Sequence, residues 1–153
     1  MFKKLLLFLL VVFVIIQFFR PEKNIHAGEE AVKNHISKAI AVPDEVGKIL
    51  KTSCYDCHSN QSVWPWYSHL APISWLIQHD VDEGRHELNF SEWDTPQREA
   101  GEAAKTVQKG EMPLWIYSLI HPHARLSSSE RASLIRGLDA TMGQSGERRP
   151  ASE

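Results

Sequence analysis

Two cysteines and a histidine constrain this chain more than any other residues. The only cysteines, Cys54 and Cys57, stand three apart, and His58 follows directly in Cys54-Tyr55-Asp56-Cys57-His58. A disulfide closing so short a loop would remove little freedom from the unfolded chain, so its value as a crosslink is small. A redox dithiol of thioredoxin type needs a βαβ setting, and no alternating run of strand length is present. A structural zinc takes four ligands. With no second cysteine pair, two histidines would have to complete such a set. One further chemistry uses the whole pentapeptide. Thiols at i and i+3 lie about one helical turn apart, where each adds across one vinyl group of a haem, and the next imidazole reaches the iron from the same side. The spacing predicts one covalently attached haem c, with Cys54 and Cys57 as attachment points and His58 as the proximal iron ligand.

The N-terminus sets the compartment in which such a group would be attached. Lys3-Lys4 precede an apolar run from Leu5 to Ile16, which Phe18-Phe19 extend past Gln17. Basic residues ahead of an apolar stretch have the form of an export signal. The run is long for a cleaved signal and short for a span, but snorkelling lysines would lengthen it. We expect residues 1–20 to act as a membrane anchor or signal segment. The lysines would lie inside and the rest outside, which gives a single-pass inner-membrane protein with its domain in the periplasm. The alternative is cleavage near Ile25-His26-Ala27 and release into the periplasm. Residues 1–27 hold four basic side chains and one acidic, which leaves 13 basic against 18 acidic in residues 28–153. An acidic domain without a basic stripe is a poor nucleic-acid binder, and that class of partner is set aside.

The remaining pattern is helical throughout. Residues 21–42 read as a polar spacer or first helix, 43–142 as the haem-binding domain, and 143–153 as a disordered tail. Val42-Pro43-Asp44-Glu45 starts a helix that runs into Cys54. Pro72 starts another, with Ile73, Leu76, Ile77 and Val81 as its face and Gly84 as its stop. Asp94 or Thr95 caps a third, with Pro96 inside its start. Its face is Ala100, Ala103, Ala104 and Val107, its end is Gly110, and the alanines imply close approach to a helix or a flat partner. Ser127-Ser128-Ser129-Glu130 is a capping box for the last. Leu88-Asn89-Phe90-Ser91-Glu92-Trp93 is too short to assign, and the stretch after Pro113 reads as irregular. The fold class is all-α, a small cytochrome c-like domain around one haem.

The sixth iron position then needs a ligand or stays open. Met112 is the first candidate, because Gly110 stops a helix just before it and Pro113 favours an extended backbone at the residue it follows. Its thioether would suit electron transfer by raising the haem potential. Met142 is the only other methionine beyond the initiator, and it falls at the end of the last helix beside the polar tail. The rivals are His69, His79, His121 and His123. Arg85 is a candidate partner for a haem propionate.

The runs Cys54-Tyr55-Asp56-Cys57-His58-Ser59-Asn60, Trp64-Pro65-Trp66-Tyr67, Ala71-Pro72-Ile73-Ser74-Trp75, Gly84-Arg85, Leu88-Asn89-Phe90-Ser91-Glu92-Trp93 and Met112-Pro113 resemble the bacterial haem-binding domain family. The likeness covers most of residues 40–140. It implies a c-type-cytochrome-like domain, often behind one membrane segment, that binds haem through Cys54, Cys57, His58 and Met112. The order of elements is also similar to mono-haem class I cytochromes c. One departure is His79-Asp80-Val81, where the family tends to place its histidine next to the valine, which weakens any role for His79. The family is defined by its haem motif, so the resemblance implies no reaction. The expected function is single-electron transfer between redox protein partners, more a carrier than an enzyme. The alternatives are a haem enzyme of peroxidase type, with His69 or His121 as its base, and a haem-based sensor of small ligands.

Overall fold

The apolar N-terminal run forms α1, Phe2–Ile16, in the computed structural model of the chain, which describes residues 1–23 and 32–143. None of its residues is buried. Gln17 ends it for a specific reason. Its side-chain amide donates to Phe13 O at 3.0 Å and to Ala71 O at 3.0 Å, and its Oε1 accepts Ala71 N at 3.0 Å. Fifteen residues make about 22 Å of helix, against about 30 Å of hydrocarbon. Among the described residues no helix is long and apolar enough to cross a membrane, which corrects the expectation of a spanning helix over residues 1–20. The candidate cleavage site and the tail from residue 144 lie outside the described residues.

From residue 32 the chain winds around one core. The short α2, Ile36–Ala39, buries Ile36, and the His35 side chain caps it by accepting Ser37 N. Next, α3, Asp44–Ser53, begins after Pro43 with two acids in its first turn and buries Val46, Ile49 and Leu50. It hands over through Cys54 to α4, Tyr55–His58. A 3₁₀ turn at Trp66–His69 leads to α5, Ile73–Glu87. A second 3₁₀ turn, Ala100–Glu102, runs into α6, Ala103–Lys109, and α7 is Trp115–Ile120. The capping box forms as expected at the head of α8, Ser128–Met142, where Ser127 N donates to Glu130 Oε2 at 2.9 Å and Glu130 N to Ser127 Oγ at 3.3 Å. The described residues are helices, turns and loops with one isolated bridge, Asn34 to Glu92, and the all-α class holds.

Helices α3, α6 and α8 pack together around Leu50, Val107, Leu134 and Leu138. Ala104 and Val107 let α6 approach α8 closely, the role its alanine stripe implied. Gly137 brings α8 against α3, since a Cβ there would overlap the Val46 isopropyl group.

Four expectations need correction. Gly84 does not stop its helix, because α5 continues to Glu87. The third helix starts near Ala100 rather than Pro96. The reason is Gln97, whose amide is spent on Glu92 O at 2.7 Å and Asn89 N at 2.7 Å and so holds the preceding residues as turns. The stretch after Pro113 is not irregular throughout, since it contains α7. Met142 does not sit in a frayed end: it is 0 % exposed and belongs to the core. Met142→Ala is therefore expected to cost about 2–5 kcal/mol in a denaturant titration while leaving the haem spectrum unchanged.

Candidate functional site: a haem slot

The cysteine motif is a sharp backbone turn between two helices. Cys54 closes α3, its N–H donating to Leu50 O at 2.9 Å, and its carbonyl accepts both Cys57 N at 3.2 Å and His58 N at 2.9 Å. That single turn sets the two thiols and the imidazole. Both cysteines are free and half-buried. Burial, then the neighbouring thiol, pushes Cys54 up to about 12; burial, with Asp56 and Asp80 beside it, does the same to Cys57. A catalytic redox thiol is tuned the opposite way, towards the thiolate.

His58 is held by a segment far away in sequence. Its Nδ1 donates to Leu88 O at 3.0 Å, and since a carbonyl only accepts, this fixes the proton on Nδ1 and leaves the Nε2 lone pair free. Burial holds the ring below the ordinary imidazole range, against the opposing pull of the Leu88 and Gly84 carbonyls. A neutral imidazole with an oriented Nδ1–H is the form that ligates a metal.

The Leu88–Trp93 segment, unassigned from the sequence, is the brace of the site. Phe90 N donates to His58 O at 2.8 Å and Ile36 N to Phe90 O at 2.9 Å. Asn89 Nδ2 donates to Asn60 Oδ1 at 3.0 Å, Asn60 N to Ser91 Oγ at 3.0 Å, and Asn60 Nδ2 to Glu92 Oε1 at 2.7 Å. Phe90 meets the His58 ring edge-on, with centroids 6.3 Å apart, and stacks on Tyr55 and Trp93. Apolar Leu88, Phe90 and Trp93 among polar neighbours mark a segment with a buried side, but nothing local names what it braces. Gly84 supplies a second contact. A Cβ there would lie 2.8 Å from Cys57 O, so α5 lies against the motif's backbone.

Met112 faces the same space. It is half-buried, and with Cys54 and His58 it lines two adjoining cavities of about 380 and 270 Å³. The first has Leu50, Phe90, Val107 and Leu138 in its wall; the second extends past Cys57 to Tyr117. Two devices place Met112. Gly110 turns the chain at φ +77°, a left-handed conformation that suits glycine, with Glu111 N donating to Thr106 O at 3.1 Å. Five residues beyond Met112, the Tyr117 hydroxyl donates to Asp56 Oδ2 at 2.6 Å and ties its loop to the cysteine motif.

The rival ligands are placed otherwise. His121 accepts the Tyr67 hydroxyl at Nε2, 2.7 Å, and donates from Nδ1 to Tyr117 O, 3.0 Å. His69 is exposed and meets Lys23 Nζ. His123 stands edge-on to His121 and is exposed. His79 is exposed while lining the outer cavity. Arg85 does not stand ready for a propionate: its Nε donates to Ser59 O at 2.9 Å and its guanidinium to Ser62 Oγ at 3.0 Å, where it braces the loop after His58.

Two thiols, a neutral imidazole with a free Nε2 and a thioether thus border one apolar slot, a donor set suited to haem iron. The model of the haem-binding domain family matches residues 11–140. The chain belongs to that family. This haem-binding domain therefore takes haem as its cofactor, and the matched region begins inside α1 and ends within α8. No match is found among curated proteins or among solved structures.

Proposed function

We propose that this haem-binding domain is a c-type electron carrier, its haem joined to Cys54 and Cys57 and ligated by His58 and Met112, at the periplasmic face of the inner membrane. The observation that carries the proposal is the His58 Nδ1 to Leu88 O bond, which fixes the ligating tautomer beside two half-buried thiols in a slot that Met112 also lines. A haem bound there supplies a one-electron ferric/ferrous couple. The chain's part would be to hold His58 and Met112 in place as donors to that haem, through the Leu88–Trp93 brace behind His58 and the Gly110 and Tyr117 anchors around Met112. The bases that a peroxidase-type reaction would use, His69 and His121, are engaged with Lys23 and with Tyr67 and Tyr117, so the carrier reading is preferred. Export is supported by Lys3-Lys4 in the first turn of the exposed helix α1, ahead of its apolar run.

The test is Met112→Ala on the haem-loaded protein. Attached haem is expected to be unchanged and the reduction potential to fall by about 0.1 V or more, within the roughly 0.8 V range that axial ligation commands. Cyanide is expected to bind faster, and the ferric thioether charge-transfer band to vanish. A parent-like spectrum and potential in this variant, with their loss in His79→Ala, would replace Met112 by His79.

A further inference from the structure

Helix α5 turns part of its apolar face outward. Of the face its sequence predicts, Val81 is buried and Ile77 half-buried, whereas Ile73 and Leu76 are exposed with Trp75, and Ser74 and Gln78 are buried in their stead. Helix α7 buries none of its residues, and Trp115, Ile116, Leu119 and Ile120 all stand in the open. The two helices meet at an apolar cavity of about 410 Å³ whose walls include Ile73, Leu76, Ile116 and Ile120. Trp66, 76 % exposed, and Trp115, 74 %, each stand between two residues that line this cavity, Pro65 and Tyr67 in one case and Leu114 and Ile116 in the other. Apart from residues 1–19 and Val32, every large exposed hydrophobic side chain among the described residues lies in segments 63–76 and 115–120. This is one patch rather than scattered exposure, and a patch of this kind marks a contact surface.

We infer that this face rests in the headgroup region of a lipid bilayer, drawn there by α1. The reading builds on the membrane location proposed above. Three observations select lipid as the occupant. First, the patch is continuous with the root of α1: Gln17 is doubly bonded to Ala71, and Trp75 Nε1 donates to Phe19 O. Second, α1 is itself an uncovered apolar element, since none of its residues is buried, so the patch and α1 offer one bilayer the same kind of surface. Third, the chemistry matches an interface, with exposed Trp66, Trp75 and Trp115 beside two cations, Arg20 and Lys23, in an otherwise acidic chain. Lys23 donates to Ser68 Oγ at 2.7 Å and lies 4.8 Å from the Trp64 ring centroid, at the margin where anionic headgroups would sit. The cavity between α5 and α7 shares Cys57, Asp56 and Tyr117 with the haem slot, so the Cys57 side of the slot adjoins this face.

The experiment uses the full-length, haem-loaded protein in vesicles of phosphatidylethanolamine and phosphatidylglycerol that carry a phospholipid with a photoactivatable acyl chain. Lipid adducts mapped by mass spectrometry are expected in segments 63–76 and 115–120 as well as in α1. The double variant Leu76→Glu, Ile120→Glu is expected to lose the adducts in those two segments about tenfold while keeping its haem spectrum and its α1 adducts. Adducts confined to residues 1–19 would overturn the lipid-facing patch and leave the membrane location intact. Recovery of the unreacted protein in the aqueous wash would overturn both. Copy-to-copy crosslinks through Trp115 in place of lipid adducts would assign the face to a second copy and refute the inference.

Discussion

A variant with Cys54 and Cys57 both changed to alanine is expected to show no haem stain after denaturing electrophoresis, where the parent chain stains fully. These are the only thiols, so no other side chain can form the thioether bonds. The slot and His58 remain, however, and the family takes haem. Under native conditions the variant is therefore expected to bind added haem reversibly and to lose it to a stronger haem acceptor. The single variants separate the two bonds: each should keep a stained chain, with the reduced absorption band shifted by the one unreacted vinyl group. Staining of the double variant equal to the parent would contradict covalent attachment through the motif.

Gly84→Val carries the second large effect. A Cβ at this position would stand 2.8 Å from Cys57 O and 3.2 Å from Cys57 Cβ, and both belong to a turn held by two backbone hydrogen bonds to Cys54 O. A backbone carbonyl cannot rotate away as a side-chain tip can, so α5 must lift from α4. The Leu88 carbonyl that orients His58 would move with the end of α5, since Leu88 N is bonded to Gly84 O at 2.9 Å. The expected result is a loss of about 1–3 kcal/mol or more in unfolding free energy and a clear fall in the yield of haem-attached chain. Gly47→Ala in α3 is the control. Its Cβ would meet only Val42 Cγ1, at 3.9 Å, and the change is expected to stabilise by about 0.5–1 kcal/mol without altering the spectrum.

What was legible in the sequence follows from range. The cysteine motif, the start after Pro43, the capping box at Ser127 and the glycine end at Gly110 are local features, set by neighbours within five residues, and they appear where the sequence places them. The Leu88–Trp93 brace was illegible because its meaning lies in partners some 30 residues away: Asn89 and Ser91 pair with Asn60, and the Leu88 carbonyl with His58. Gly84 misled in the same way. Glycine both ends helices and permits close approach, and only the presence of Cys57 against it decides between the two. The α5 face is legible only at its C-terminal half, because hydrophobic periodicity assumes that apolar residues turn inward. Val81 does so, but Ser74 and Gln78 take the inner side near the start, and Ile73 and Leu76 join the uncovered patch. Gln17 cut α1 short through hydrogen bonds to Ala71, a contact across 54 residues that no window of hydropathy contains.

The measurement that bears most directly on the central claim is the intact mass of the purified, denatured parent chain, taken together with its metal content and its thiol titration. The account predicts a chain heavier by one haem, one iron per polypeptide, and no thiol open to alkylation, because Cys54 and Cys57 are both consumed. A bare polypeptide mass with two alkylatable thiols and one zinc per chain would contradict it.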